Sequence, residues 1–506
     1  MTTHYETNQS VRKILLEGRL LQITESLALR LSNQFDFAKR IVQEFALILA
    51  GQALKYLNIG QRDRAYSHAG IYAPPGLGKD FSWKLIETSS IFPLDIVRVH
   101  RLENITEAAL IGTVTESTIV PPPAVTEDII FVGEYATFMR GPNASSVAAD
   151  MRSMIENGEY RRRLAKLAYF KEILYAPGEE WKKKYLQDQL EYYRKQGMSI
   201  DLDRAEIHIR TTTSWMIASA RFGSPSIEGR PLLSMGDVTR YRWRCFIPSE
   251  QERFQITSEV GGLPPETVSG TEKRSCCEAW KVLISALRKN VVDGSVMVPR
   301  DEASFQSRKE IWNQTVREMT DLYGEKMSEV YLEQLVNLRT RAEFTRIMYQ
   351  HAALKQFERS QGYDFVLPSK FIINYDEDGE FARQLWLSEY VPSMMSVIDD
   401  ITHFAHSWRG RRIATSTQRG EEIILKRLEK GPADHGELEK LVREAGITAS
   451  LLNNYILPGL IRKGLICKPT GYKLYRVRDC KNCQYRETCP HKENENQRSA
   501  GGGLHG

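Results

Sequence analysis

Apolar residues recur at three- and four-residue spacing through Leu15, Leu16, Leu20, Leu21, Ile23, Leu27 and Leu31, and again over residues 45–57. That period is helical, so residues 1 to about 60 are expected to be helices whose apolar faces pack against the next part of the chain. The pattern then changes. Short, mostly apolar runs at 96–99, Ile129–Val132 and 213–220 have the length and composition of strands buried on both faces of a parallel sheet. Residues 67–87, SHAGIYAPPGLGKDFSWKLIE, read as a strand, a glycine-proline loop and the first turns of a helix. Residues 108–117 read as a loop or short insertion. Beyond residue 261 the spacing is helical again, most clearly over 279–287 and 305–323, and the Trp and Tyr residues there are expected in the core. Three further helices, 421–430, 436–445 and 448–463, precede two short strands around Pro469, Thr470 and Gly471, the order of a winged helix.

The fold class expected is α/β, a parallel-sheet core with a helical lid and a C-terminal winged helix. The segments are 1–60, N-terminal helices; 61–260, core; 261–405, lid and extension; 406–478, winged helix; 479–492, a cysteine-rich motif; and 493–506, a polar tail expected to be disordered.

The glycine-proline loop carries the first candidate chemistry. Ala73, Pro74, Pro75, Gly76, Leu77, Gly78 and Lys79 fit G-x-x-x-x-G-K-[ST] at Gly78 and Lys79, with Ala for the first glycine. Such a loop holds the β and γ phosphates of a nucleotide with backbone N–H groups, a helix dipole and the lysine, so residues 73–81, through Asp80 and Phe81, are the candidate ATP contacts. A strand-to-helix turn with an exposed lysine is the plainer alternative. Asp80 stands where a Ser or Thr hydroxyl would hold magnesium. The strand at Ile129–Val132 ends in Gly133 and Glu134, where a phosphate-loop ATPase carries Asp-Glu: the Asp for the magnesium shell, the Glu for the attacking water. One carboxylate is missing there and another has appeared at Asp80, so the magnesium ligand is expected to have moved between the two walls. The rival is a site that binds nucleotide without hydrolysing it, or without magnesium. Ser219 and Arg221 are candidates for sensing the γ phosphate, and Arg240, before Tyr241 and another strand, for an arginine finger reaching a neighbouring subunit.

Composition limits the rest. The 506 residues, 42% hydrophobic and 26% charged, are too many for one core. No apolar run is long enough to span a bilayer and the N-terminus has no signal pattern, so a cytoplasmic protein without a membrane partner is expected. A net charge of +5 does not by itself imply nucleic acid. Basic residues do cluster, at 151–167 and at Lys182, Lys183, Lys184, Arg194 and Lys195, either as a solvated face or as contacts to nucleic-acid phosphates. Arg462, Lys463, Lys468, Lys473 and Arg476 lie where a wing and helix end meet DNA phosphates, unless the winged helix docks protein instead.

Of the seven cysteines, Cys245, Cys276 and Cys277 are scattered, whereas Cys467, Cys480, Cys483 and Cys489 crowd the C-terminus. Three thiolates within ten residues of so polar a segment point to metal, with Cys467 or His491 as the fourth ligand. The spacing, followed by Pro, resembles the iron–sulfur signature of RecB-type, CRISPR-associated nucleases. With Cys467 that implies a 4Fe-4S cluster; with His491 the set is a Cys₃His zinc site.

The order of phosphate loop, acidic strand end, sensor strand, Arg-aromatic pair and helical lid resembles the AAA+ ATPases. Residues 109–114, and Arg339, Arg346, His351 and Ala352 within NLRTRAEFTRIMYQHA, resemble the minichromosome-maintenance (MCM) branch of replicative helicases over about residues 60–360. The sequence departs from that pattern at Asp80, at Gly133 and at Met235-Gly236, and has only about 60 residues before the core, too few for the DNA-binding barrel of that branch. The resemblance implies a ring, a hexamer in that family, using ATP and magnesium to act on DNA as a helicase or remodelling motor, with Lys79 on phosphate, Glu134 on water, and Arg240 and Arg339 (sensor two) on the γ phosphate. The alternatives are a DNA-binding replication or transcription factor, with corresponding partners, built on a non-hydrolysing AAA+ scaffold, and a chaperone-like remodeller of protein partners.

Overall fold

Strands buried on both faces are dominated by apolar side chains, and the three strands that meet this condition form the middle of one sheet. In the computed structural model, β1 (Ala69–Tyr72), β2 (Val99–Leu102), β3 (Thr113–Val114), β4 (Ile119–Val120), β5 (Ile129–Val132), β6 (Glu159–Arg163), β7 (Met198–Asp201), β8 (Glu206–Arg210), β9 (Ser214–Ser219) and β10 (Arg242–Cys245) precede a C-terminal set of short strands. Five of them make a sheet in the order β10-β1-β9-β5-β2, every pair parallel. The chain is thus α/β with a five-stranded parallel sheet. β1, β5 and β9 are buried throughout, and the polar residues of β2, His100 and Arg101, are tolerated because β2 is an edge.

The structure describes residues 2–57, 64–74, 77–102, 112–114, 119–135, 144–163, 167–175, 177–178, 180–195, 197–219, 233, 235–249, 267–292, 301–324, 329–360, 367, 370–404, 411–449, 452–462, 465–467 and 473–476. Pro75, Gly76, Arg221, Lys463, Lys468, most of 108–117, and the segment holding Cys480, Cys483, Cys489 and His491 lie outside these residues, as does the polar tail.

Contacts divide the chain into Met1–Thr402 and His403–Gly506. In the first unit one hydrophobic core runs from Val11 to Ile401, so the N-terminal helices, the sheet and the helices after residue 267 share an interior. The Asp36–Ala53 helix is buried on nearly every face, and Gln52 donates to Ser214 Oγ at 2.6 Å, tying it to the entrance of β9. Glu44 on this helix is fully buried, and its carboxylate faces Arg242 (2.7 Å) and Arg244 (3.0 Å) on β10, two arginines whose side chains have no exposure. Those charges are paired inside the core, which is how a strand reading RWRC occupies a buried position. Between β5 and β9 a separate antiparallel sheet, β6-β8-β7, carries the Glu180–Lys195 helix.

The second unit contains helices Arg411–Glu429, His435–Glu444 and Leu457–Arg462, the last entered through a wide turn at Leu452–Ile456. β11 (Ala433–Asp434), β12 (Ile466–Cys467) and β13 (Lys473–Arg476) form an antiparallel sheet in the order β11-β13-β12. Ile424, Leu438, Val442, Leu452, Ile456 and Leu474 form its own core. β11 adds one strand to the two read from the sequence.

Candidate nucleotide site

The path of the chain creates a crevice. From β1 the chain crosses to the far edge at β2, then returns through β5 and β9 and passes β1 to reach β10. Connections after β1 and after its neighbour β9 therefore leave in opposite directions, and ligands of open parallel sheets bind beyond the strand ends at such a point. The candidate loop begins there. Ala73 N–H donates to Ser219 O at 3.3 Å, fixing the loop's first residue to the end of β9. Gly78, at φ +84°, closes the loop and is the N-cap of the Lys79–Thr88 helix. A side chain at Gly78 would strain the left-handed backbone and bring Cβ to 2.4 Å from the Phe35 ring. Having no side chain, Gly78 makes no side-chain cap hydrogen bond, and the positive end of the helix dipole faces the loop. Trp83 holds this helix over the sheet by stacking on Phe131 at 3.9 Å.

Lys79, the first helical residue, is buried and its ammonium meets Glu134 Oε2 just past the end of β5. The other oxygen of Glu134 accepts a hydrogen bond from Ser219 Oγ at 3.0 Å. One lysine, one carboxylate and one hydroxyl thus converge from β1, β5 and β9. Phe35, from the N-terminal segment, lies against the loop with Phe37 and Phe246, which stack at 4.9 Å. Nothing in its local sequence set Phe35 apart from a core residue, so this aromatic wall was not anticipated.

Magnesium fits these residues poorly. Asp80 is exposed, and its Oδ1 lies 3.6 Å from Arg101 Nη2. Gly133 offers no carboxylate, and a Cβ there would lie 3.5 Å from the same Arg101 Nη2. A small divalent cation requires close oxygen ligands. Between the two positions that would supply them stands a guanidinium, a fixed positive charge.

Arg240 and Arg339 come together elsewhere. Arg240 Nη2 donates to Glu156 Oε1 at 2.7 Å, and Arg339 reaches the same oxygen. Arg240 also pairs with Asp237 at 2.8 Å. Arg242 N–H donates to His68 O at the start of β1, so Arg240 lies at the N-terminal ends of the strands, opposite Lys79. Four residues of β1, about 13 Å of strand rise, separate the two ends. Contact between Arg339 and a phosphate on the same chain's Lys79 does not fit this placement. Both arginines line a cavity of about 810 Å³, with Arg64, Arg308, Arg341 and Arg346 also on its wall. His68, at its floor, is buried and accepts the Trp215 N–H at Nδ1 (3.1 Å). Burial, then the neighbouring charges of Arg346, Arg64 and Arg242, push its pKa well below the usual histidine value.

Cys467 is half-buried on β12. Among the described residues no group of three or more His, Cys, Asp or Glu side chains could hold a metal ion, and no helix is long and apolar enough to cross a membrane. Comparison with models of known protein families gives no match, and comparison with curated proteins gives none either.

Proposed function

We propose that this chain is a nucleotide-binding protein of AAA+ type, similar to the MCM helicases, that acts on DNA within a ring of identical subunits. The observation that carries the proposal is the meeting of Lys79, Glu134 and Ser219 at the ends of three adjacent strands, beside an uncapped helix start. Terminal phosphates of ATP would lie on the loop N–H groups and on Lys79, displacing Glu134 from the ammonium. Glu134, still held by Ser219, would then face the water that attacks the γ phosphate. Because Arg240 and Arg339 lie at the opposite end of the sheet, the phosphate they serve belongs to a neighbouring subunit, as an arginine finger requires.

Two features support DNA as the partner. On the Glu180–Lys195 helix, Trp181, Tyr185 and Tyr192 are 69%, 48% and 55% exposed among Lys182, Lys184, Arg194 and Lys195, the mixture of stacking faces and cations that single strands bind. The second unit has the helix and strand order expected of a winged helix, with basic residues in its last helix and strands.

A second reading is favoured by Arg101, which stands where magnesium is expected: nucleotide is then held without turnover, and the chain is a DNA-binding assembly factor. ATP turnover with and without single- and double-stranded DNA, alongside solution mass, separates the two. DNA-stimulated turnover that disappears in Lys79→Ala supports the motor. Binding without turnover supports the scaffold, and absence of ATP binding overturns both.

A further inference from the structure

The misfit of magnesium has a specific shape. In a phosphate loop the cation sits between a hydroxyl one residue after the lysine and a carboxylate at the end of the acidic strand. Here those positions are Asp80 and Gly133, and one side chain adjoins both. Arg101 Nη2 lies 3.6 Å from Asp80 Oδ1 and 3.5 Å from where a Cβ on Gly133 would be. Arg101 pairs in register with Phe131 across β2 and β5, its guanidinium carbon lies 6.0 Å from the Phe131 ring centre, and that ring stacks on Trp83 from the loop's own helix. Arg101 is therefore mounted on the sheet, like the strand ends around it. A Cβ at 133 would sit in ordinary contact with the guanidinium, so an aspartate there would give Arg101 a second carboxylate and restore an oxygen ligand for a metal. The glycine at 133, the aspartate at 80 and the arginine on the edge strand are therefore read together.

We propose that Arg101 takes the place of the divalent cation in this site, so that the chain binds nucleoside triphosphate without magnesium. This rests on the nucleotide-site reading above and specifies the form of nucleotide bound. Arg101, Lys79 and the helix start would together offset the triphosphate charge, with Asp80 keeping the guanidinium in position when the phosphates are absent. Arginine donates in a planar fork and does not release its charge over the physiological range, so the site would respond to nucleotide and not to metal supply.

The test is titration of the full chain with ATP, read by calorimetry, in excess magnesium and in excess EDTA. The wild type is expected to bind with Kd values agreeing within about twofold in the two buffers. Arg101→Ala is expected to lose at least about tenfold in EDTA and to recover part of it when magnesium is added, while Arg101→Lys keeps most of the affinity in both. The pair Arg101→Ala with Gly133→Asp is expected to bind only with magnesium. Wild-type affinity that falls more than about tenfold in EDTA overturns the proposal, as does Arg101→Ala binding like wild type in EDTA. Absence of binding in either buffer, with Lys79→Ala indistinguishable from wild type, overturns the nucleotide-site reading and the proposal with it.

Discussion

Under the proposed function, Glu134 occupies the place at Lys79 that a phosphate would take, so replacing it with Gln gives an effect of unusual sign: tighter nucleotide binding in a chain that would also lose its proposed water-activating group. Two unit charges about 4 Å apart interact by about 4 kcal/mol at an effective dielectric of 20. Lys79 is only 8% exposed but Glu134 is 35% exposed, so solvent screening brings the pair closer to surface values, about 0.5 to 1 kcal/mol. Glu134→Gln keeps the shape and the hydrogen bond to Ser219 while removing the competing charge. The dissociation constant for ATP should fall by roughly two- to fivefold. Lys79→Ala should move it the other way by about 2 kcal/mol, the scale of a hydrogen bond to a charged group. Calorimetric titration of ATP reads both. If Glu134→Gln weakens binding, the carboxylate contacts the nucleotide favourably and the displacement argument is wrong. If neither substitution changes binding, the phosphates do not lie at this crevice.

Other expectations can be checked separately. Arg240→Ala should leave ATP binding of the subunit unchanged and abolish turnover, and mixing it with an inactive Lys79→Ala chain should recover some turnover, since each supplies the half-site that the other lacks; no recovery argues against action in trans. Alanine at Lys182, Lys183 and Lys184 together should weaken single-strand binding and reduce the slope of log K against log salt by up to about 2. His68 has its folded pKa pushed below the unfolded value, so its contribution to stability is complete above about pH 6.5 and is lost as pH falls below that, through protonation of the unfolded chain. The melting midpoint should therefore drop between about pH 7 and pH 5, and His68→Gln should flatten that part of the profile. Protein isolated without oxygen should be coloured and carry iron bound to Cys480, Cys483 and Cys489; a colourless protein with one zinc per chain establishes the Cys₃His alternative.

What the sequence disclosed about this molecule depended on which interactions are local. Ile129–Val132 and the loop ending at Gly78-Lys79 announced themselves because a strand buried on both faces and a strand-to-helix turn each require particular residues within a few positions. Ser219 and Glu134 were each read as residues at the end of an apolar run, but the hydrogen bond between them appears only once the strands are placed in one sheet. The short strand Ala433–Asp434 was missed because two residues carry no period. The long-range pairings were hidden more deeply. Nothing local to Arg242 and Arg244 points to Glu44, some two hundred positions earlier in the chain, which meets them inside the core. Arg101 lies beyond the 96–99 run read as a strand, and only the observed register, which sets it opposite Phe131, two residues before Gly133, brings it beside Asp80 and the position of Gly133. A charge whose partner is distant in sequence leaves no local trace, and in this chain the two least legible clusters, around Glu44 and around Arg101, are where the sheet departs furthest from the apolar pattern that located it.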